Sequence, residues 1–245
     1  LLASARSAGK KLTIADKEYI VEETTENSFD GMDIVLGAAE NDIAEKYLPI
    51  AAEKGAVVVD NSSAFRLDEQ VPLIIPEVNP QAVREHHGII ANPNCATIIA
   101  LVALQPLHAY ANAKRMVVST YQAVSGAGVN GIRELNQQVG ALAHGKEVAV
   151  NTFQYQIAYN LIPQIGGFNE AGYSSEEMKM QNEGRKIMSN PELCVNCTCV
   201  RVPVIRSHSE SIMVEFEKEI SVEKARELLQ GAPGVKLVDE PQKQV

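Results

Sequence analysis

Apolar positions at the start of the chain fall into short runs separated by polar loops. Leu1-Leu2-Ala3 gives way at once to SARSAGKK, as the tail of a strand does on entering a loop. A strand is expected near Glu18 to Val21, and another at Asp33 to Gly37, whose IVLG core is apolar enough to be buried on both faces. Ile43, Tyr47, Leu48 and Ala51 then recur at helical spacing until Gly55 closes the segment, and AVVVD, Ala56 to Asp60, supplies a further buried strand. Strand, helix and strand in that order make a βαβ unit. Such units pack as a doubly wound parallel sheet that binds ligands at the carboxyl ends of its strands, so the loops after Ala3, Gly37 and Asp60 are candidate binding loops.

The pattern changes after Ala91, where NPNC opens an apolar helix from about Cys95 to His108. Beyond it, Arg115 to Ala123 and Thr198 to Val204 read as strands, and Val214 to Ile220 alternates. Helices fit near Asn130 to His144, Ser175 to Met188 and Val222 to Gln230, the last with Ser221 and Gly231 as caps. The expected fold is therefore α/β: an incomplete Rossmann-like, doubly wound parallel sheet over residues 1–93, then an α+β catalytic and dimerisation domain with a mixed sheet over 94–245. On this reading the first strand and its glycine-rich turn precede Leu1, and the PQKQV ending is not a finished domain edge.

Composition narrows the classes of function. Hydrophobic content of 45% over 245 residues is ample for a core. A net charge of -9, with basic residues scattered singly or in pairs, leaves no footprint for a nucleic acid. No run reaches the roughly 18 apolar residues of a membrane span, and LLASARSAGKK lacks the order of a signal peptide, so a cytoplasmic protein with reduced thiols is expected. Cys194, Cys197 and Cys199 form C-x-x-C-x-C, but no fourth ligand lies at zinc spacing, and no metal is expected.

Cys95 follows Asn92-Pro93-Asn94 and opens the long apolar helix. Its sulfur should sit in the first turn, where free N–H groups and the macrodipole favour thiolate. A small buried cysteine would fit the same residues. Arg201 is conspicuous inside the apolar strand CVRVPV, where a charge is costly unless paired.

Seven segments in order decide between these readings: SARSAGK at 4–10, VVVDNSSAFR at 57–66, VPLIIPEVNP at 71–80, NPNCAT at 92–97, YQAVSGAG at 121–128, EEMKMQNEGRKI at 176–187 and CVRVPVIRSHSES at 199–211. With them the chain resembles the bacterial aspartate-semialdehyde dehydrogenases over nearly its whole length. The resemblance implies an NADP- and phosphate-dependent interconversion of L-aspartate 4-semialdehyde and L-4-aspartyl phosphate through a thioester on Cys95, in lysine, threonine and methionine biosynthesis. It gives His208 as the base and Gln122 as the amide that positions the thioester or bound water. Arg201 matches the position that binds the substrate carboxylate and Glu176 the one that binds its ammonium, with Glu177 a neighbouring contender. Arg66, Asn94 and Lys179 match the phosphate site. Ser4, Arg6 and Ser7 suit the 2′-phosphate of NADP, and Ser125, Gly126 and Gly128 stand where the backbone approaches the nicotinamide. Glu40 departs from the small residue usual in the family's GAAEND loop. A homodimer is implied.

Three rivals remain at this point: an N-acetyl-glutamyl-phosphate reductase, which needs no carboxylate such as Glu176 for a free ammonium; a non-catalytic dimerisation relative; and a redox sensor built on the cysteine cluster. Because strands are expected outside both ends, the chain as written is expected to bind NADP weakly and to turn over little, while keeping Cys95, Gln122, Arg201 and His208 close together.

Overall fold

The computed structural model describes residues 1–243. The chain divides into two compact units, one of Leu1–Ile74 with Gln81–Pro93 and one of Ile75–Pro80 with Asn94 onward.

In the first unit, β5 (Ile34–Gly37), β6 (Val57–Asp60) and β7 (Ile89–Ala91) form a parallel sheet in the order β5-β6-β7, with α1 (Asn41–Glu53) as the crossover between β5 and β6. Val58 and Asp60 are buried, and Asp60 accepts from the Ser62 N–H and hydroxyl at 3.0 and 2.6 Å, fixing the loop at the carboxyl end of β6. β1 (Leu2–Ala3) pairs in parallel with β4 (Glu22–Glu23), and β2 (Lys11–Ile14) forms a hairpin with β3 (Lys17–Ile20). The hairpin turn, Ala15-Asp16, has φ of 46° and 64°, the two left-handed residues of a type I′ turn. Without a glycine or asparagine there, only β3 was expected from sequence. The expectation that IVLG is buried on both faces fails: Leu36 is 77% exposed, because β5 is an edge strand bonded to β6 alone. Leu2, Phe29, Val35 and Leu36 line an apolar cleft of about 170 Å³ beside that free edge.

The second unit is organised by β8 (Ala113–Ala123), the centre of a mixed sheet ordered β10-β8-β9. β9 (Cys194–Val202) runs parallel to β8 and sets Arg201 opposite Gln122. β10 (Ser209–Phe216) runs antiparallel and sets Ser209 opposite Tyr121. The extent of β8 corrects two boundaries: β9 starts at Cys194 and β10 runs from Ser209, since both ladders follow β8 along its length, and alternation over 214–220 caught only the tail of β10. One face of the sheet carries Met116, Val118, Thr120 and Gln122 of β8 with Cys197, Cys199 and Arg201 of β9, all buried. α2 (Cys95–Ala111) packs on β8 and β10, and α4 (Ser175–Ile187) packs on β9 and α2. α3 (Gly128–Ala143) follows a 3-10 turn at Val124–Ala127, and α5 (Val222–Gln230) is capped by Ser221, whose hydroxyl accepts from Lys224 N–H at 3.2 Å. Among the described residues no helix is long and apolar enough to cross a membrane.

Candidate active site

Asn94 is the N-cap of α2, and Cys95 is the first residue of the helix. The Asn94 side-chain oxygen accepts from the Ala96 and Thr97 N–H groups at 2.9 and 3.3 Å. Its side-chain nitrogen donates to Glu176 Oε1 at 2.9 Å, and its backbone N–H donates to Glu183 Oε2 at 2.6 Å. Two carboxylates of α4 thus hold the start of the helix that carries the thiol. Asn94, which the resemblance gives to phosphate, is thereby also the clasp between α2 and α4.

His208 enters β10 from Ser207, whose φ of 72° is an uncommon left-handed turn that aims the imidazole at α2. Its Nε2 lies 3.3 Å from Cys95 Sγ, and its Nδ1 accepts from Ala123 N–H at 3.0 Å. An accepting Nδ1 leaves the proton of a neutral imidazole on Nε2, facing the sulfur. Burial and then Arg201 push the imidazole below its usual range, which favours that neutral form.

Glu176 is 6% exposed, far from the solvated helix face that SSEEMK suggests. Its Oε1 also accepts from Gln122 Nε2 at 3.0 Å, and Lys179 reaches Oε2 at 3.1 Å. Burial alone would raise this acid; Lys179 and the hydrogen bonds from Asn94 and Gln122 outweigh it and hold Glu176 ionised below the usual range. Glu177 instead makes a capping box with Ser174, accepting from its N–H at 2.7 Å, which removes it as a contender.

Gln122 is locked at both ends, because its oxygen accepts from the Thr120 hydroxyl at 2.9 Å. Arg201 donates from Nη1 to Ala123 O at 2.7 Å. A Cβ on Gly126 would stand 2.7 Å from that same Nη1. The glycine in SGAG therefore makes room for the guanidinium, a reason that sequence reading, with nicotinamide in view, did not supply. Ser125 N–H donates to Ile205 O at 3.2 Å, and Gly128 has a φ of +70°.

Desolvation and then Glu176 push the Cys95 thiol above its ordinary range; the helix-start amides of Ala96 and Cys95 and the Arg201 charge pull it back without prevailing. The expectation of a thiolate from helix position alone is therefore corrected. Glu176→Gln is expected to lower the thiol pKa and speed alkylation of Cys95 by iodoacetamide at neutral pH. A rate no faster than wild type across the pH range would show that Glu176 does not restrain the sulfur.

In the first unit, the turn at Ser4, Arg6 and Ser7 follows β1. Ser7 N–H donates to Ser4 O at 2.8 Å, Lys10 reaches Ser7 Oγ at 3.5 Å, and Arg6 is exposed. Arg66 donates from Nε to Asn92 O at 2.9 Å and from Nη2 to Asn61 O at 3.0 Å. Among the described residues no group of three or more His, Cys, Asp or Glu is placed to hold a metal.

Sequence reading missed Glu183 and Thr120. Glu183 is 1% exposed, on the stripe Glu176, Met180, Glu183 and Ile187 that α4 turns inward. A carboxylate at those spacings in an otherwise buried stripe was the available signal.

The semialdehyde dehydrogenase NAD-binding family model matches residues 1–86, and the semialdehyde dehydrogenase dimerisation-domain model matches 104–245. An aspartate-semialdehyde dehydrogenase of Aquifex aeolicus is 52% identical over 246 residues, 99% of this chain and 72% of the relative. The enzyme of Bacillus subtilis is 46% identical over 253 residues, covering 100% and 73%. The chain belongs to the aspartate-semialdehyde dehydrogenase family. Among solved structures, the Vibrio cholerae aspartate-semialdehyde dehydrogenase II complexed with ASA superposes with a TM-score of 0.92 at 46% identity, over 95% of this chain and 70% of that one. The Candida albicans enzyme with NADP superposes with a TM-score of 0.69 at 25% identity, over 94% and 67%. Family membership makes the chain an oxidoreductase of amino-acid biosynthesis acting on the aldehyde of aspartate semialdehyde. The reductase, non-catalytic and redox-sensor readings are not favoured.

Proposed function

We propose that Cys95 is the nucleophile of this NADP- and phosphate-dependent dehydrogenase, a reading carried by the 3.3 Å approach of His208 Nε2 to its sulfur. With Glu176 neutralised by the ammonium, the Cys95 thiol gives its proton to solvent, since His208 Nε2 already carries one and is not free to act as the base that the resemblance implies. The thiolate adds to the aldehyde carbon of aspartate semialdehyde, and the carbonyl electron pair moves onto oxygen. His208, with its proton on Nε2, donates a hydrogen bond first to the sulfur and then to the alkoxide, so negative charge stays partnered throughout. Loss of hydride from that carbon leaves a thioester. A phosphate oxygen then attacks the acyl carbon, the C–S bond breaks, and thiolate and aspartyl phosphate are released. In the biosynthetic direction the same steps run in reverse.

Arg201 has donors beyond the one given to Ala123 and takes the substrate carboxylate. Glu176 takes the ammonium. Neutralising Glu176 removes one of the two main causes that hold the thiol up, so substrate binding itself favours thiolate. Gln122 keeps Glu176 in place, and Lys179 supplies positive charge for phosphate.

The turn at Ser4, Arg6 and Ser7 fits the 2′-phosphate end of NADP: an exposed guanidinium, two hydroxyls and nearby Lys10, with no acidic side chain between residues 4 and 10. NADP, when bound, supplies the hydride acceptor. The outer face of the β10-β8-β9 sheet, with exposed Tyr121 and Met213, suits a second copy of the chain, making a homodimer in the cytoplasm.

The test is a chemical quench. Incubation with aspartate semialdehyde and NADP without phosphate should leave an aspartyl adduct on Cys95, seen by mass spectrometry of the digested protein, and phosphate should discharge it. An adduct on another cysteine, or none, would overturn the assignment.

A further inference from the structure

Glu210 lies on β10 two residues beyond His208, on the same face of the strand. Across the antiparallel ladder its register partner is Thr120, and side chains so paired have Cβ atoms about 4.5–5.5 Å apart. Thr120 gives its one proton to Gln122, and Gln122 donates in turn to Glu176. Both carboxyl oxygens of Glu210 are shut off from solvent, and neither has a hydrogen-bond partner.

Two elements pack against β10. From β8, the cationic residues Lys114 and Arg115 stand at the opposite end of the strand from Thr120, and Lys114 pairs with Glu215. From α2, the titratable groups are Cys95 at its start and His108 and Tyr110 in its last turn. On the neighbouring β9 the nearby groups are the thiols of Cys197 and Cys199, and Cys197 feels the Glu210 charge. Among the described residues no cation offsets the carboxylate, and burial pushes its acid up to about 8. A buried carboxylate without a partner is costly, whereas the neutral acid has a proton to donate. The Thr120 oxygen, its proton already given to Gln122, still has lone pairs to receive it.

We propose that Glu210 is a positioning residue: kept as the neutral acid, it turns to donate to Thr120 Oγ1 and so holds the Thr120–Gln122–Glu176 chain that presents Glu176 to the substrate ammonium. The last step rests on the reading of Glu176 given above. On ionisation Glu210 can no longer donate, the chain loosens, and substrate binding weakens.

Two measurements on the enzyme separate these parts. Infrared difference spectra of wild type against Glu210→Gln should show the carbonyl stretch of an un-ionised carboxylic acid that disappears as pH rises through about 8. In kinetics, KM for aspartate semialdehyde in wild type should rise about 3- to 10-fold above that pH, the scale of one lost hydrogen bond, while kcat moves less. Glu210→Gln keeps a donor without an ionisable proton and should hold the low KM across the range. Thr120→Val should give the high KM at every pH and make it indifferent to Glu210→Gln. An ionised Glu210 at neutral pH, or the same alkaline rise in Glu210→Gln, overturns the proposal. The infrared arm does not depend on what Glu176 binds; an unchanged KM in Glu176→Gln would remove the ammonium reading and leave that arm standing.

Discussion

Cys95→Ala is expected to lower turnover by on the order of 10⁴-fold or more, because without the sulfur there is no thioester and no second, phosphate-driven half of the reaction. NADP binding, measured by calorimetry, should be no weaker than in the unsubstituted protein, since Ser4, Arg6 and Ser7 lie in the other compact unit. Retention of more than a trace of phosphate-dependent activity would sink the nucleophile assignment. Cys194 is exposed, and its replacement by serine should be neutral. Cys197 is buried with its sulfur 3.5 Å from Cys199, so Cys197→Ser should cost some stability, about 1 kcal/mol for a buried hydroxyl, and leave kcat alone.

Arg201→Lys is expected to lower kcat/KM for aspartate semialdehyde by about 1–3 kcal/mol of transition-state binding, despite preserving the charge. The guanidinium meets Ala123 O with Nη1 and keeps its remaining donors for a carboxylate; a single ammonium at the end of a flexible stem cannot do both in a fixed plane. The cavity shaped by Gly126 is fitted to that plane. Steady-state kinetics decide the matter, and near wild-type values would make Arg201 a structural residue.

The path from sequence to site was partly readable. NPNC before an apolar run placed Cys95 at a helix start because an asparagine N-cap and the periodicity that follows are local signals. The βαβ unit was readable for the same reason. The buried polar chain was not: Asn94 meets Glu176 across 82 positions and Glu183 across 89, and no local spacing announces such partners. The direction of the Cys95 shift failed on the same point, since the helix start favours thiolate and the carboxylate that opposes it comes from α4. β5 misled because a continuous apolar run looks alike in a central strand and in an edge strand.

The clasp between α2 and α4 also has a meaning in time. Cys95 is synthesised well before Glu176 and His208, which come 81 and 113 residues further along. Contacts so distant in sequence form late, after the long loop between them has closed. In an unfinished chain the thiol has none of these neighbours; in the completed fold, although Cys95 still reaches solvent, the protein around it and Glu176 push its thiol above the ordinary range. Reactivity of Cys95 toward iodoacetamide, followed during refolding near pH 8, should therefore fall as the fold closes, in step with assembly of the second unit. The restraint on the Cys95 thiol is thus built from parts made after it.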